Sequence, residues 1–205
     1  MSLFPMFVKL EGRLVVVVGG GEIAAGKIAG LLQAGAKIRV IAPDVVPAFV
    51  QPIHNRNVEW IPRKFAANDL DGAILVIAAT SAPGVNASVF REAEARGILC
   101  NAVDDVENCH FYYGSIVQRG DLQIAISTNG KSPALAQRLR QELEKQFGPE
   151  YEVWLEWLGA ARELLRVADG GTESTKQMLH HLASQPMYEQ FVKEARKEPS
   201  RQGVA

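Results

Sequence analysis

Three short stretches hold residue types whose chemistry depends on their spacing. The first is Gly19-Gly20-Gly21-Glu22-Ile23-Ala24, directly after the apolar run Leu14-Val15-Val16-Val17-Val18. Its small residues fit G-x-G-x-x-A. Gly19 permits a tight turn, Gly21 lets main chain approach a pyrophosphate with no Cβ between, and Ala24 is small enough for a helix to press on the strand. The N–H groups of Glu22 and Ile23, at a helix start with its partial positive charge, suit a diphosphate. The second stretch is Asp104-Asp105 at the end of another apolar run. A carboxylate there can accept a proton or stabilise a cationic nitrogen. The third is Lys131-Ser132-Pro133, a cation beside a capped helix start and therefore a candidate anion site.

Other readings of these residues stay open on the sequence alone. Gly21 to Ile28 nearly matches the P-loop pattern G-x-x-x-x-G-K-[ST], but Ile28 stands where a hydroxyl must hold Mg²⁺, and Gly26-Lys27 would lie inside a helix. The glycines could serve only to reverse the chain, and Asp104-Asp105 could serve only to start a turn. Arg119, Arg138 and Lys145 are candidate cations for an acidic substrate, or solvated surface charge. The histidines are His54, His110, His180 and His181. His180 and His181 point about 100° apart on a helix and do not chelate as an i,i+4 pair would. No tightly bound metal is expected.

The elements that must position these groups follow from pattern. Leu14 to Val18 reads as a strand buried on both faces, as in a parallel sheet. Ala24, Ala25, Ile28, Leu31 and Leu32 share one helical face, ended by Gly35. Lys37-Ile38-Arg39-Val40-Ile41-Ala42 is a second strand, closed by Pro43-Asp44. Asp44 lies roughly 20 residues past the glycines, where an acid holds adenosine ribose hydroxyls, and the main chain of Pro43 and Asp44 is placed to contact the adenosine. No arginine in 43–50 offers a 2′-phosphate partner, which favours NAD over NADP. Residues 57–61 and 73–78 give third and fourth strands. Small residues around Thr80 then leave room for a flat cofactor ring. A helix over 86–96, with Val85, Val89, Phe90 and Ala93 inward, leads to a fifth strand over 98–103 that delivers Asp104. Strands alternating with helices make an α/β, Rossmann-like doubly wound parallel sheet. Residues 4–10 are expected to run extended beside it.

After His110-Phe111-Tyr112-Tyr113-Gly114 the rhythm changes. Residues 115–117 and 122–126 read as a hairpin around Arg119-Gly120-Asp121, and Leu135, Leu139, Leu143 and Phe147 mark a helix after Ser132. This piece is too small to bury itself and must pack on something else. From Pro149 a helical stripe of Trp154, Trp157, Leu158, Ala161, Leu164 and Leu165 begins, stopped by Asp169-Gly170-Gly171. Weaker helices follow near 178–182 and 187–195, then a frayed tail at 198–205.

Composition excludes several classes. The 205 residues are 47% apolar and 22% charged, with formal net charge −1, so nothing draws the chain to nucleic acid or an anionic membrane. No apolar run nears the roughly 20 residues that span a bilayer, and no signal-peptide pattern opens the chain. Cys100 and Cys109 form no C-x-x-C pair. A cytoplasmic enzyme is expected.

The order of parts resembles the precorrin-2 dehydrogenase family, the N-terminal module of siroheme synthases. The resemblance rests on Leu3-Phe4-Pro5-Met6-Phe7, Val18-Gly19-Gly20-Gly21-Glu22-Ile23-Ala24, Lys27, Ile77-Ala78-Ala79-Thr80, Asn101-Ala102-Val103-Asp104-Asp105 and Ile126-Ser127-Thr128-Asn129-Gly130-Lys131-Ser132-Pro133. The last two are the most specific, because they lie outside the generic nucleotide unit. The resemblance implies a Rossmann domain over 1–113, a dimerisation segment with a small α+β fold over 114–147, and a C-terminal helical part over 148–205. It implies a homodimer that oxidises precorrin-2 to sirohydrochlorin with NAD, for siroheme or cobalamin, with added Fe²⁺ insertion in some members. The functional aspartate falls on Asp104. The substrate side falls on Asn101 and on the turn of Ser127, Thr128, Lys131 and Ser132. The chain departs from the family pattern at Gly26, where an arginine is expected, at Asn129, where glycine is usual, and in the polar, aromatic run from His110. An NAD(H)-sensing module is the competing class, but a sensor has no need of the stretches around Asp104 and Ser132.

Overall fold

The uninterrupted valine run becomes β1 (Leu14–Val18), the middle of five parallel strands in a computed structural model that describes residues 3–195. The expected tail at 198–205 lies outside the described residues. β2 (Lys37–Ile41), β3 (Val58–Ile61), β4 (Ala73–Ala78) and β5 (Leu99–Ala102) complete the sheet in the order β3-β2-β1-β4-β5. The valines alternate between two cores. Val15 and Val17 pack with Ala24, Ile28 and Leu31 of α1 (Glu22–Gln33), whereas Val16 and Val18 pack on the opposite face, with Val89 and Ala93 of α3 (Pro83–Ala95). Each valine buried in this way contributes about 1.5–3 kcal/mol. A central strand is therefore apolar at every position, and its pattern alone names its place.

The order of strands reverses direction between β1 and β4, so the carboxyl edge of the sheet opens a crevice there. Gly35 (φ +74°) ends α1 and passes its N–H to Leu32 O. A 3-10 turn (Pro47–Phe49) and α2 (Val50–His54) lie between β2 and β3. The sequence pattern did not announce them, yet Phe49 is fully buried.

Two expectations need correction. Residues 4–10 do not lie against the sheet: Phe4 is 84% exposed, Met6 and Phe7 are also in solvent, and only Leu10 is buried. The turn at Leu10–Arg13, closed by Arg13 N–H to Leu10 O with Gly12 at φ +68°, takes the chain off the strand line just before β1. α3 starts at Pro83, three residues earlier than expected, because proline at the first helical position is already set for the helix. The inward face, set by Val89 and Ala93, takes in Asn86 and leaves Val85 at its exposed flank.

The chain divides into two units, Met1–Tyr112 and Tyr113–Ala205. In the second, β6 (Ser115–Arg119) and β7 (Leu122–Ile126) form an antiparallel pair, followed by α4 (Pro133–Gln146), α5 (Glu150–Asp169), α6 (Glu173–Leu182) and α7 (Gln185–Ala195). Arg119 donates from Nε to Phe147 O (2.8 Å) and from Nη2 to Glu144 O (3.1 Å), closing the end of α4. Arg138 pairs with Glu142 at 2.6 Å. Arg119 is thus built into the fold, whereas Arg138 is a solvated surface charge in an exposed pair. Tyr151 and Trp154 of α5 meet Tyr188 of α7 ring to ring.

Candidate active site

A cleft of about 910 Å³ opens at the carboxyl ends of β1, β2 and β4. Gly19, Gly21, Pro43, Asp44 and Thr80 all line it. The three glycines differ in what they do. Gly19 holds φ +122°, and a Cβ on it would collide with the Ala79 carbonyl. Gly20 occupies the free position of the motif, yet a Cβ there would strike the Asp44 carbonyl, and Gly20 O accepts from Val46 N at 2.8 Å. Gly21 has an ordinary backbone (φ −84°), and a Cβ on it would meet no protein atom. Internal packing therefore does not require glycine at 21. Its bareness leaves room in front of α1.

That room faces unmet donors. The first bond of the α1 region runs from Ala25 N to Gly21 O, and Gly21 has no side chain to cap the turn. The N–H groups of Glu22 and Ile23, both exposed, have no intrahelical acceptor. Bare main chain, free donors and the helix dipole fit a pyrophosphate. Trp60 Nε1 donates to Ala42 O (2.9 Å) and fixes the end of β2, where Pro43 and Asp44 lie exposed on the rim.

The exit of β3 adds what the sequence reading missed. Although 43–50 holds no arginine, Arg63 and Lys64 reach the same cleft. Arg63 donates from Nη1 to Asp69 Oδ2 (2.8 Å) and from Nη2 to Asp69 Oδ1 (2.5 Å), and Ala66 N–H also donates to Oδ2. Asp69 is 4% exposed. The Arg63 hydrogen bonds hold its carboxyl below the usual carboxylate range, against the opposing pull of burial.

On the β4 side, Asn86 clamps the loop that carries Thr80. Its Oδ1 accepts from Thr80 N (3.1 Å) and from Thr80 Oγ1 (2.7 Å), and its Nδ2 donates to Thr80 O (3.1 Å). A buried asparagine one turn into α3 thus sets the shape of the cleft wall. Its signal was spacing: Asn86 stands three, four and seven residues before Val89, Phe90 and Ala93 and shares their face.

Asp104 follows β5, one strand beyond β4, where Val103 N bonds Ala78 O at 2.9 Å. It is exposed and holds φ +60°, a left-handed backbone that aspartate tolerates better than most residues. Lys27, in the second turn of α1, is half-buried. Burial lowers its pKa, and the Asp104 carboxylate partly offsets that fall. The neighbours agree on this placement: Val103 packs on the core that includes Ala24 and Ile28. Asp105 instead accepts from Asn108 Nδ2 (2.6 Å) and starts the 3-10 turn Val106–Asn108.

Asn101 lies beneath this acid. It is buried, and its Nδ2 donates to Phe111 O (2.8 Å) and Cys109 Sγ (3.4 Å), tying 101 to 109–111. Its amide thus shapes the segment rather than reaching outward. His110 accepts from Cys100 N at Nδ1 and stacks on Phe90 at 4.7 Å. Burial pushes the Cys100 thiol up to about 12 and the Cys109 thiol upward, so both stay protonated. Among the described residues no three His, Cys, Asp or Glu side chains converge.

Ser127, Thr128, Lys131 and Ser132 come together in the second unit. Ser127 Oγ accepts from Asn129 N (3.2 Å). Thr128 Oγ1 accepts from Ser132 N (3.2 Å) and donates to Ser132 O (3.1 Å). Ser132 Oγ accepts from Leu135 N (3.2 Å). Asn129 (φ +52°) and Gly130 (φ +74°) turn the chain, and Lys131 is exposed. The hydroxyls are engaged inside the turn, which leaves Lys131 as its outward charge.

Comparison with known proteins bears on this geometry. A family model described as "Putative NAD(P)-binding" matches residues 6–115, and one described as "Sirohaem biosynthesis protein central" matches residues 119–146. Siroheme synthase 1 of Serratia proteamaculans is 42% identical over 169 residues, covering 80% of this chain and 36% of that protein. A siroheme synthase of Photorhabdus laumondii is 46% identical over 144 residues, covering 70% and 31%. The chain thus spans about a third of the length of these relatives. Among solved structures, SirC, a precorrin-2 dehydrogenase, superposes with a TM-score of 0.77 at 26% identity, covering 95% of this chain and all of that one.

Proposed function

We propose the activity from one premise: the chain belongs to the NAD(P)-binding family whose model spans residues 6–115. On that premise it is an NAD-dependent oxidoreductase that converts precorrin-2 to sirohydrochlorin. The names of the siroheme synthase relatives and of the SirC structure support this reading. The observation that carries it is Asp104: an exposed carboxylate on a left-handed backbone, one strand past the cleft, whose charge is felt by Lys27.

Bound NAD⁺ supplies the hydride acceptor. The chain's own residues bind, orient and handle the proton. Bare Gly21 and the N–H groups of Glu22 and Ile23 take the diphosphate. The main chain of Pro43 and the Asp44 carboxylate take the adenosine ribose. The Thr80 loop, clamped by Asn86, bounds the ring end of the cleft. Oxidation removes a hydride and a proton from the saturated tetrapyrrole. The proton passes to an Asp104 carboxylate oxygen and then to water, so NADH, H⁺ and sirohydrochlorin balance precorrin-2 and NAD⁺. Lys27 fixes that carboxylate by charge. Asn101 holds the segment that carries it. Lys131, with the turn of Ser127, Thr128 and Ser132, meets the substrate's carboxylates.

The division into a cofactor domain over 1–113, a pairing segment over 114–147 and a helical part over 148–205 belongs to the same reading. The pairing partner is a second copy of the chain. β6 and β7 form a sheet of only two strands, each with an unpaired outer edge among the described residues, and Ile116 is exposed. Both cysteines are free, and no helix among the described residues is long and apolar enough to cross a membrane, which suits a cytoplasmic setting.

The test is anaerobic incubation with precorrin-2 and NAD⁺, followed by sirohydrochlorin absorbance. Asp104→Ala should cut turnover by about 10²–10⁴ while NAD⁺ binding holds. Turnover at the wild-type rate would remove Asp104 from the chemistry. NADH binding without any turnover would favour a sensor.

A further inference from the structure

The cleft has a charged wall at the exit of β3 that the proposed reaction does not use. Arg63 lies there, and three of its donor contacts are committed: two to the Asp69 carboxylate and one, from Nη1 at 3.0 Å, to Lys64 O. Asp69 itself is buried and held further by Ala66 N–H. The guanidinium is therefore held on two sides, and its charge is balanced by the Asp69 carboxylate. With its charge largely balanced by Asp69, it attracts a phosphate less than an unpaired arginine would. What it still offers is its flat face, with Nε–H and one Nη2–H outside those contacts.

Position says what could lie on that face. In a doubly wound sheet the dinucleotide crosses at the reversal of strand order, with its adenosine toward β2 and β3. Arg63 is at the exit of β3, which pairs with β2, and it lines the same cleft as Asp44, Val45 and Val46 at the exit of β2. A planar cation held by a buried anion stacks well on an aromatic base. From this geometry we infer that the Arg63 guanidinium, locked by Asp69, is the shelf on which the adenine of the dinucleotide stacks. Base preference is then set at Arg63, apart from the diphosphate grip at Gly21. The inference rests on the dinucleotide reading of the cleft.

The two can be tested apart by titrating the full chain with NADH and with the reduced dinucleotide in which cytosine replaces adenine. Both share the diphosphate and the nicotinamide, but the pyrimidine has the smaller face. The wild type should prefer NADH by about five- to tenfold. The double variant Arg63→Met with Asp69→Asn leaves no orphaned charge and should reduce that preference to within about twofold. Asp69→Asn alone keeps the guanidinium and should retain most of it. If the double variant melts below the assay temperature, Arg63→Lys, which keeps the ion pair but loses the plane, decides by the same ratio. An unchanged preference in the variant that lacks the plane overturns the shelf. A wild type that binds neither dinucleotide overturns the cleft reading itself.

Discussion

At the start of α1 stands Gly21, with no side chain to cap the helix. At the start of α4 stands Ser132, whose hydroxyl accepts from Leu135 N at 3.2 Å while Thr128 Oγ1 accepts from Ser132 N. Both sites read alike in sequence, as small residues before a helix that suits an anion. The structure separates them by what is left over. The α4 start caps its Leu135 N–H from its own turn, and its first position is a proline with no donor to satisfy. The α1 start leaves donors open, and the glycines behind it are pinned: Gly19 against Ala79 and Gly20 against Asp44. An open helix start thus differs from a closed one through its neighbours rather than through its own composition.

The largest effect should come from closing the open start. Gly21→Ala places a methyl where no protein atom stands, so melting should stay near wild type while NAD⁺ affinity falls at least about tenfold, or about 1.4 kcal/mol. Calorimetric titration alongside a thermal melt checks both halves. A drop in melting temperature at unchanged affinity would erase the contrast with α4. The converse change is Ser132→Ala. It removes a cap and should lower stability by about 1 kcal/mol with NAD⁺ affinity untouched. Denaturant unfolding and the same titration read it out.

Acid should draw the smallest and most selective line between the two regions. Asp69 has a folded pKa below its unfolded value of about 3.9, so its contribution is complete above that pH and is lost as pH falls through the folded pKa. The turn at 127–132 is held by neutral hydroxyls and has no such dependence. Below about pH 4, hydrogen exchange at Ala66 should accelerate before exchange at Leu135 does. Asp69→Asn should lose that early step. Simultaneous exposure of both amides would mean the cleft wall does not open on its own.

Much of this is legible in the amino-acid sequence. The valine run named the central strand because only a strand covered on both faces is apolar throughout. Ser132-Pro133 named the start of α4 because cap and first-turn chemistry are local. What escaped was long-range or small. Arg63 meets Asp69 across a loop, and the Asp104 carboxylate at the end of β5 acts through its charge on Lys27 of α1; no periodicity within one element reports such pairs. Asn86 shares the face of Val89 and Ala93, but a polar side chain at an inward position gives no apolar signal of its own. Residues 4–10 misled by composition: they are apolar, but a turn at Gly12 carries them off the sheet.

Gly19 has a consequence for how the crevice tolerates change. Its α-carbon rests on the Ala79 carbonyl, so the β1–α1 and β4–α3 connections touch through main chain on both sides. Side chains around the mouth can be exchanged during descent without prising these two loops apart. The separation of the crevice's two halves is governed by one absent carbon, and a mutation that supplies it would be felt on both sides at once.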